Sequence, residues 1–199
     1  MPRKKIDPWF KNEIISVGGV EQSRSSEDWA ALSDALKNLC RARQSMYEAA
    51  KNGKRVQIVD SIELCEKITV GGRYLVQPPL VGRDAGIFAN TLHGAGISAI
   101  VLCREPSTAL GLCPIVALGS GVMVRVQVEE PTSPQKPTCS WFDHALEELG
   151  DHILGKLDTK RSNKRQLDYL LGHIPAAPTH VRLYKTAIGI CSTLQAETV

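Results

Sequence analysis

At 199 residues, with 43% apolar and 23% charged side chains, the chain has the composition of a globular protein of one domain, with room for a small appendage. The 24 lysines and arginines against 21 carboxylates leave a net charge of +3, too mild to demand a polyanionic partner. No run of about 20 apolar residues is present to span a bilayer, and "MPRKKIDPWFKNEI" lacks the apolar stretch of a signal peptide. Six widely spaced cysteines then read as reduced thiols of a cytoplasmic protein without a membrane partner.

In chain order, residues 1–26 read as a flexible basic arm, polar and Ser-rich, with Trp9 and Phe10 docking on the body. Apolar residues recur at helical spacing from Trp29 through Leu32, Leu36, Leu39, Cys40, Met46 and Ala50, which predicts a helix over 27–52, capped by Ser25 or Ser26 and ended at Asn52-Gly53. "KRVQIVD" reads as a strand. In "KITVGGRYLVQ" two β-branched or aromatic runs flank Gly71-Gly72, the pattern of a two-residue hairpin. "RDAGIFANTLHGAG" reads as a short buried helix over 84–94, and "ISAIVLC" as a buried strand. "LCPIVALGSGVMVRVQVEE" predicts a second hairpin about 119–121, whose second arm alternates Val124, Val126 and Val128 with polar neighbours.

The proline-rich stretch 131–139 reads as a linker. Beyond it "CSWFDHALEELGDHILGKL" predicts an amphipathic helix with Ser140 and Asp143 as a capping box, and a shorter helix uses Leu167, Leu170, Leu171 and Ile174. "VRLYKTAIGIC" reads as a last strand. The expected fold is α+β: a mostly antiparallel sheet within a core domain of residues 27–130, with covering helices, followed by a C-terminal helical hairpin and final strand over 140–199.

Chemistry is thinly signalled. His144, Glu148 and Asp151 share the polar face of the helix 141–157, opposite its apolar stripe, which is the ordinary solvent face of such a helix. No metal and no cofactor are assigned. There is no G-x-S-x-G elbow, and although His93 could act as a base for Cys103, nothing in the sequence brings the two together. Catalytic residues stay unassigned.

Basic charge is segregated from the apolar middle of the chain. Arg41, Arg43, Lys54 and Arg55 lie on or after the first helix, and Lys160, Arg161, Lys164 and Arg165 lie in the turn "TKRSNKRQ". Should these share one face, they form the footprint of a binding module for nucleic acid or another polyanion, through phosphate contacts without base readout. The aromatic residues that stack on bases are missing from these clusters. An alternative is a small-molecule or nucleotide-binding enzyme that uses the amide-rich start of helix 84–94, with Arg83, His93 and Arg104 as its polar groups. A third reading is an assembly protein, a homo-oligomer pairing through an exposed edge strand.

Overall fold

The computed structural model describes residues 7–119 and 121–198. Along it lie helices α1 (Pro8–Ser25) and α2 (Trp29–Lys51), strand β1 (Val56–Val59), helix α3 (Ile62–Lys67), strand β2 (Gly72–Val76) and helix α4 (Gly82–Gly94). Strands β3 (Ala99–Arg104), β4 (Leu112–Leu118) and β5 (Met123–Glu129) follow, then helices α5 (Cys139–Gly155), α6 (Asn163–His173) and α7 (Val181–Thr198), with a 3-10 turn at Ile174–Ala176. The five strands form one sheet in the order β1-β2-β3-β4-β5. Among the described residues no helix is long and apolar enough to cross a membrane.

The α+β class expected from the sequence holds, and the sheet is mixed. β1, β2 and β3 run parallel, while β4 returns antiparallel to β3 and β5 antiparallel to β4. The β4–β5 hairpin lies where the alternation places it, with Val124, Val126 and Val128 buried and Met123, Arg125 and Gln127 exposed. Gly71-Gly72, by contrast, is not a hairpin turn, because β2 has no antiparallel partner. The Gly72 amide donates to the Ser98 carbonyl at 3.0 Å, and a Cβ on Gly71 would stand 2.5 Å from that same oxygen. The glycine pair serves a close backbone approach. β2 is buried at every residue, as befits a central parallel strand.

Helices cover both faces of the sheet. α3 and α4 close one face over Val59, Tyr74, Val76, Cys103 and Val116. On the other face α2 and α5 pack against the side chains of Leu75, Ile100, Leu102, Ile115 and Val126, with α1, α6 and α7 built onto them. One apolar cluster runs from Trp9 in α1 to Leu194 in α7. The proline-rich stretch 131–139 therefore connects two parts of a single core and separates no domains; Pro131 and Pro137 are themselves buried.

Two further expectations are corrected. Residues 8–25 of the supposed arm are helical and lie along α2; residues 1–6, with the charges Arg3, Lys4 and Lys5, fall outside the described residues. Seven of the eight buried positions of α2, Trp29, Leu32, Leu36, Leu39, Arg43, Met46 and Ala50, alternate in steps of three and four, the seam spacing of packed helices, and Ala42 is buried beside them. Those of α1 follow the same spacing, but they are Trp9, Glu13, Ser16 and Ser23. Polar residues fill the seam, so no apolar stripe announces the helix. At Gly19 the two helices come within ordinary contact, since a Cβ there would stand 3.4 Å from the Ala35 Cβ.

The final segment is also a helix, not a strand: Leu183, Tyr184, Ala187, Ile190, Cys191 and Leu194 are buried at a helical period. Helix starts are shifted as well. Asp28 caps α2 by accepting from the Ala31 amide at 2.9 Å, and Thr138 caps α5 by accepting from the Trp141 amide at 3.1 Å.

Candidate functional site

The β3–β4 ladder is short. Only Cys103↔Val116 and Arg104↔Ile115 are paired, although β3 extends back to Ala99 and β4 on to Leu118. Where the two strands part, a cleft of about 920 Å³ opens. Its lining includes Ala99 and Val101 from one face of the sheet and Ile100 and Leu102 from the other, so it passes through the plane of the sheet.

Helix α4 forms one wall, to which Arg83 and Ile87 also contribute. Gly82, Ala85, Gly86 and Ala89 line the cleft at spacings of three and four, with Asn90 and His93 continuing the same side. The two glycines seat the helix on β4: a Cβ at Gly82 would meet Val116 at 3.0 Å, and one at Gly86 would meet Leu118 at 2.7 Å. The opposite wall comes from Met46, Leu146, Ala176 and Pro178, and α1 closes the end with Glu13, Ile14 and Val17.

The polar groups converge at that end. The Glu13 carboxylate, with a side chain only 7% exposed, accepts from Arg43 Nε at 2.7 Å through one oxygen and meets His93 Nε2 at 2.7 Å through the other. Arg43 Nη1 donates to the Tyr184 hydroxyl at 2.9 Å, which in turn donates to the Pro178 carbonyl at 2.8 Å. Burial raises the Glu13 carboxyl, but the hydrogen bond from His93 and the charge and hydrogen bond of Arg43 outweigh it, and the group ends below its ordinary value. Burial pushes the Tyr184 hydroxyl up to about 12, so it stays neutral. An ionised carboxylate can only accept, so His93 Nε2 is the donor in this contact. Among the described residues Nδ1 makes no hydrogen bond. Trp9 and Phe10 hold the imidazole from α1, with ring centroids 6.0 and 5.2 Å away.

Of the residues singled out from the sequence, His93 and Arg83 line this cleft and Arg104 does not. Arg104, the last residue of β3 and itself paired with Ile115, is buried and bonds the Gln77 side chain. Arg83 is exposed at the start of α4. At that helix start Asp84 accepts from the Val81 amide at 2.9 Å, and the Asp84 and Ala85 amides donate to the Val81 carbonyl. Cys103 is no nucleophile for His93, because burial pushes its thiol up to about 11.

The basic residues do not gather into one tight cluster. Arg43, only 8% exposed, is spent on Glu13 and Tyr184. Lys164 pairs with Glu27 at 2.7 Å, beside the Trp29 end of α2, and Arg161 pairs with Asp158 at 3.3 Å. Lys54 and Arg55 are exposed beyond the Lys51 end. The 23 residues of α2 separate these groups by roughly 34 Å at about 1.5 Å per residue. Arg41 is exposed and reaches only Asn38. On α5, Asp151 turns away from His144 to meet His180 at 3.0 Å and Arg182 at 2.6 Å.

Fold and site together define an α+β protein with a ligand-sized cleft opened inside its own sheet. No protein-family model, curated protein or solved structure matches the chain.

Sequence reasoning reached His93 but not Glu13 or the role of Arg43. A signal was present for Arg43: it falls on the buried seam of α2 midway between Leu39 and Met46, where a lone arginine requires a buried partner.

Proposed function

We propose that the protein binds a small, mainly apolar molecule in the cleft between β3 and β4, with His93 and Glu13 as the polar end of the site. The observation that carries this reading is the early end of the β3–β4 ladder beside the buried Glu13 carboxylate and its partner His93. A sheet forgoes pairing at a cost in backbone hydrogen bonds, and the space so opened is lined by hydrocarbon with few polar groups, the usual character of a ligand pocket.

The test is a titration with the neutral environment-sensitive dye N-phenyl-1-naphthylamine. The wild-type chain gives a saturable rise in fluorescence. Ala89→Trp, which fills the cleft from its helical wall, weakens binding by about tenfold or more, some 1.4 kcal/mol, while the far-ultraviolet circular dichroism stays unchanged. Equal binding by the two chains overturns the assignment.

A second reading, electrostatic binding of a polyanion, is supported by Lys160 and Arg165, both exposed in or beside the α5–α6 turn with no carboxylate partner among the described residues. Titration with a short DNA duplex at several salt concentrations decides it. Two such contacts give an affinity that falls with salt at a slope of about two, and no binding at low salt removes the reading.

A further inference from the structure

Strand register determines which way each backbone group of the cleft points. The Glu105 amide donates to the Pro114 carbonyl at 2.9 Å, and the pairs that follow back along β3 are Arg104↔Ile115 and Cys103↔Val116. In an antiparallel ladder bonded pairs recur at every second residue. Glu105, Cys103 and Val101 therefore turn their amides and carbonyls toward β4, while Pro114, Val116 and Leu118 turn theirs toward β3. The outer edges agree with this. The Gly72 amide donates to the Ser98 carbonyl on the β2 side at 3.0 Å, and the Gly119 amide donates to the Val122 carbonyl on the β5 side at 2.8 Å.

Val101 faces Leu118 in this register, yet the two are not paired. Both line the cleft and both are partly buried. Where the ladder ceases, this pair holds two amide donors and two carbonyl acceptors that no strand among the described residues answers on that side. A Cβ on Gly86 would stand 2.7 Å from the Leu118 side chain, so the pair lies along α4 between Arg83 and His93. The walls about it are apolar, with Ala85, Ile87 and Ala89 on α4 and Met46 and Leu146 opposite. Hydrocarbon leaves backbone donors and acceptors unmatched at a cost, and a group that both gives and accepts a hydrogen bond removes that cost.

We propose that the ligand of the cleft carries a secondary amide between two apolar groups, and that this amide bonds the main chain of Val101 and Leu118 where the next rung of the ladder is missing. The inference rests on the reading of the cleft as a ligand site and names the chemical class of its occupant. A trans amide points its N–H and its C=O in opposite directions. One meets the carbonyl of one strand and the other meets the amide of the facing strand, as an added peptide strand does at a sheet edge.

The experiment uses the full chain and two ligands of matched shape, N-benzylbenzamide and benzyl benzoate, in which an ester oxygen replaces the N–H. Each is titrated against bound N-phenyl-1-naphthylamine. The amide binds about tenfold more tightly than the ester, the worth of one well-made hydrogen bond. Burial of apolar surface alone ranks the ester first, because the amide is the costlier group to take from water. Hydrogen exchange supplies a second readout. In the unliganded chain the Val101 and Leu118 amides exchange faster than those of Leu102 and Ala117, which are turned to β2 and β5, and N-benzylbenzamide slows at least one of the first two. An ester that binds as well as the amide, or Val101 and Leu118 amides as protected as their neighbours before ligand is added, overturns the proposal. If N-phenyl-1-naphthylamine still binds in that preparation, the cleft reading survives. If no dye binds, the cleft reading falls and this inference with it.

Discussion

Arg43→Met lowers the unfolding free energy by about 3–5 kcal/mol, the loss expected when one partner of a buried ion pair is removed and the other stays charged. Glu13 is left in a site 7% exposed with only His93 to answer it, and the Tyr184 hydroxyl loses its donor. The double variant Glu13→Leu with Arg43→Met recovers most of that loss, because no charge is then stranded on the α1–α2 seam. Chemical denaturation at neutral pH measures both; a double variant as unstable as the single one contradicts the pairing.

The same pair sets an acid limit. Folded Glu13 sits below the ordinary carboxylate value, so in the window beneath about pH 4.3 the unfolded chain binds a proton that the folded chain does not. A depressed carboxylate contributes stability that is full above the unfolded value and is lost as pH falls through the folded one. Arg43→Met removes one cause of the depression, so its stability falls less steeply across that window than the wild type's.

Gly150→Ala costs about 3 kcal/mol, the upper range for overpacking a close-packed site. An added Cβ would overlap the Cγ and Cδ2 atoms of His180 and stand 2.6 Å from Nδ1. The ring cannot yield easily. It is 1% exposed, and Nε2 is held by Asp151 at 3.0 Å and Glu147 at 3.3 Å, so retreat breaks contacts that tie α5 to the start of α7. Gly189→Ala is the internal reference. It lies inside α7 with nothing within 4 Å of the added methyl, and it gains about 0.5–1 kcal/mol from helix propensity. Opposite signs for the two changes establish that His180 lies on Gly150; a gain at both positions contradicts it.

These two sites also mark where the sequence was legible. α2, α4, α5, α6 and the β4–β5 hairpin announce themselves because each buries an apolar face at its own period, and the residues of that face are local. α1 does not, since Glu13, Ser16 and Ser23 occupy its buried seam and its partner for Glu13 is 30 positions away. The parallel half of the sheet was hidden for a related reason. The crossover between β1 and β2 carries only the six-residue α3, and Gly71-Gly72 imitates a turn while serving a tight crossing at Ser98. In α7 the β-branched and aromatic opening suggests a strand, and the helical period emerges only when the pattern is followed to Leu194. As for the site, His93 was visible as a polar residue on an apolar helix, but its partner lies 80 positions away on that same unannounced helix. A cleft made by two strands ceasing to pair leaves no mark in composition.

The central claim, that the parted strands β3 and β4 hold a ligand, is tested most directly by following backbone amide resonances during titration with N-phenyl-1-naphthylamine. The account predicts shifts concentrated in residues 82–93, 99–102 and 117–119. Shifts centred on residues 159–166, or none at saturating dye, contradict it.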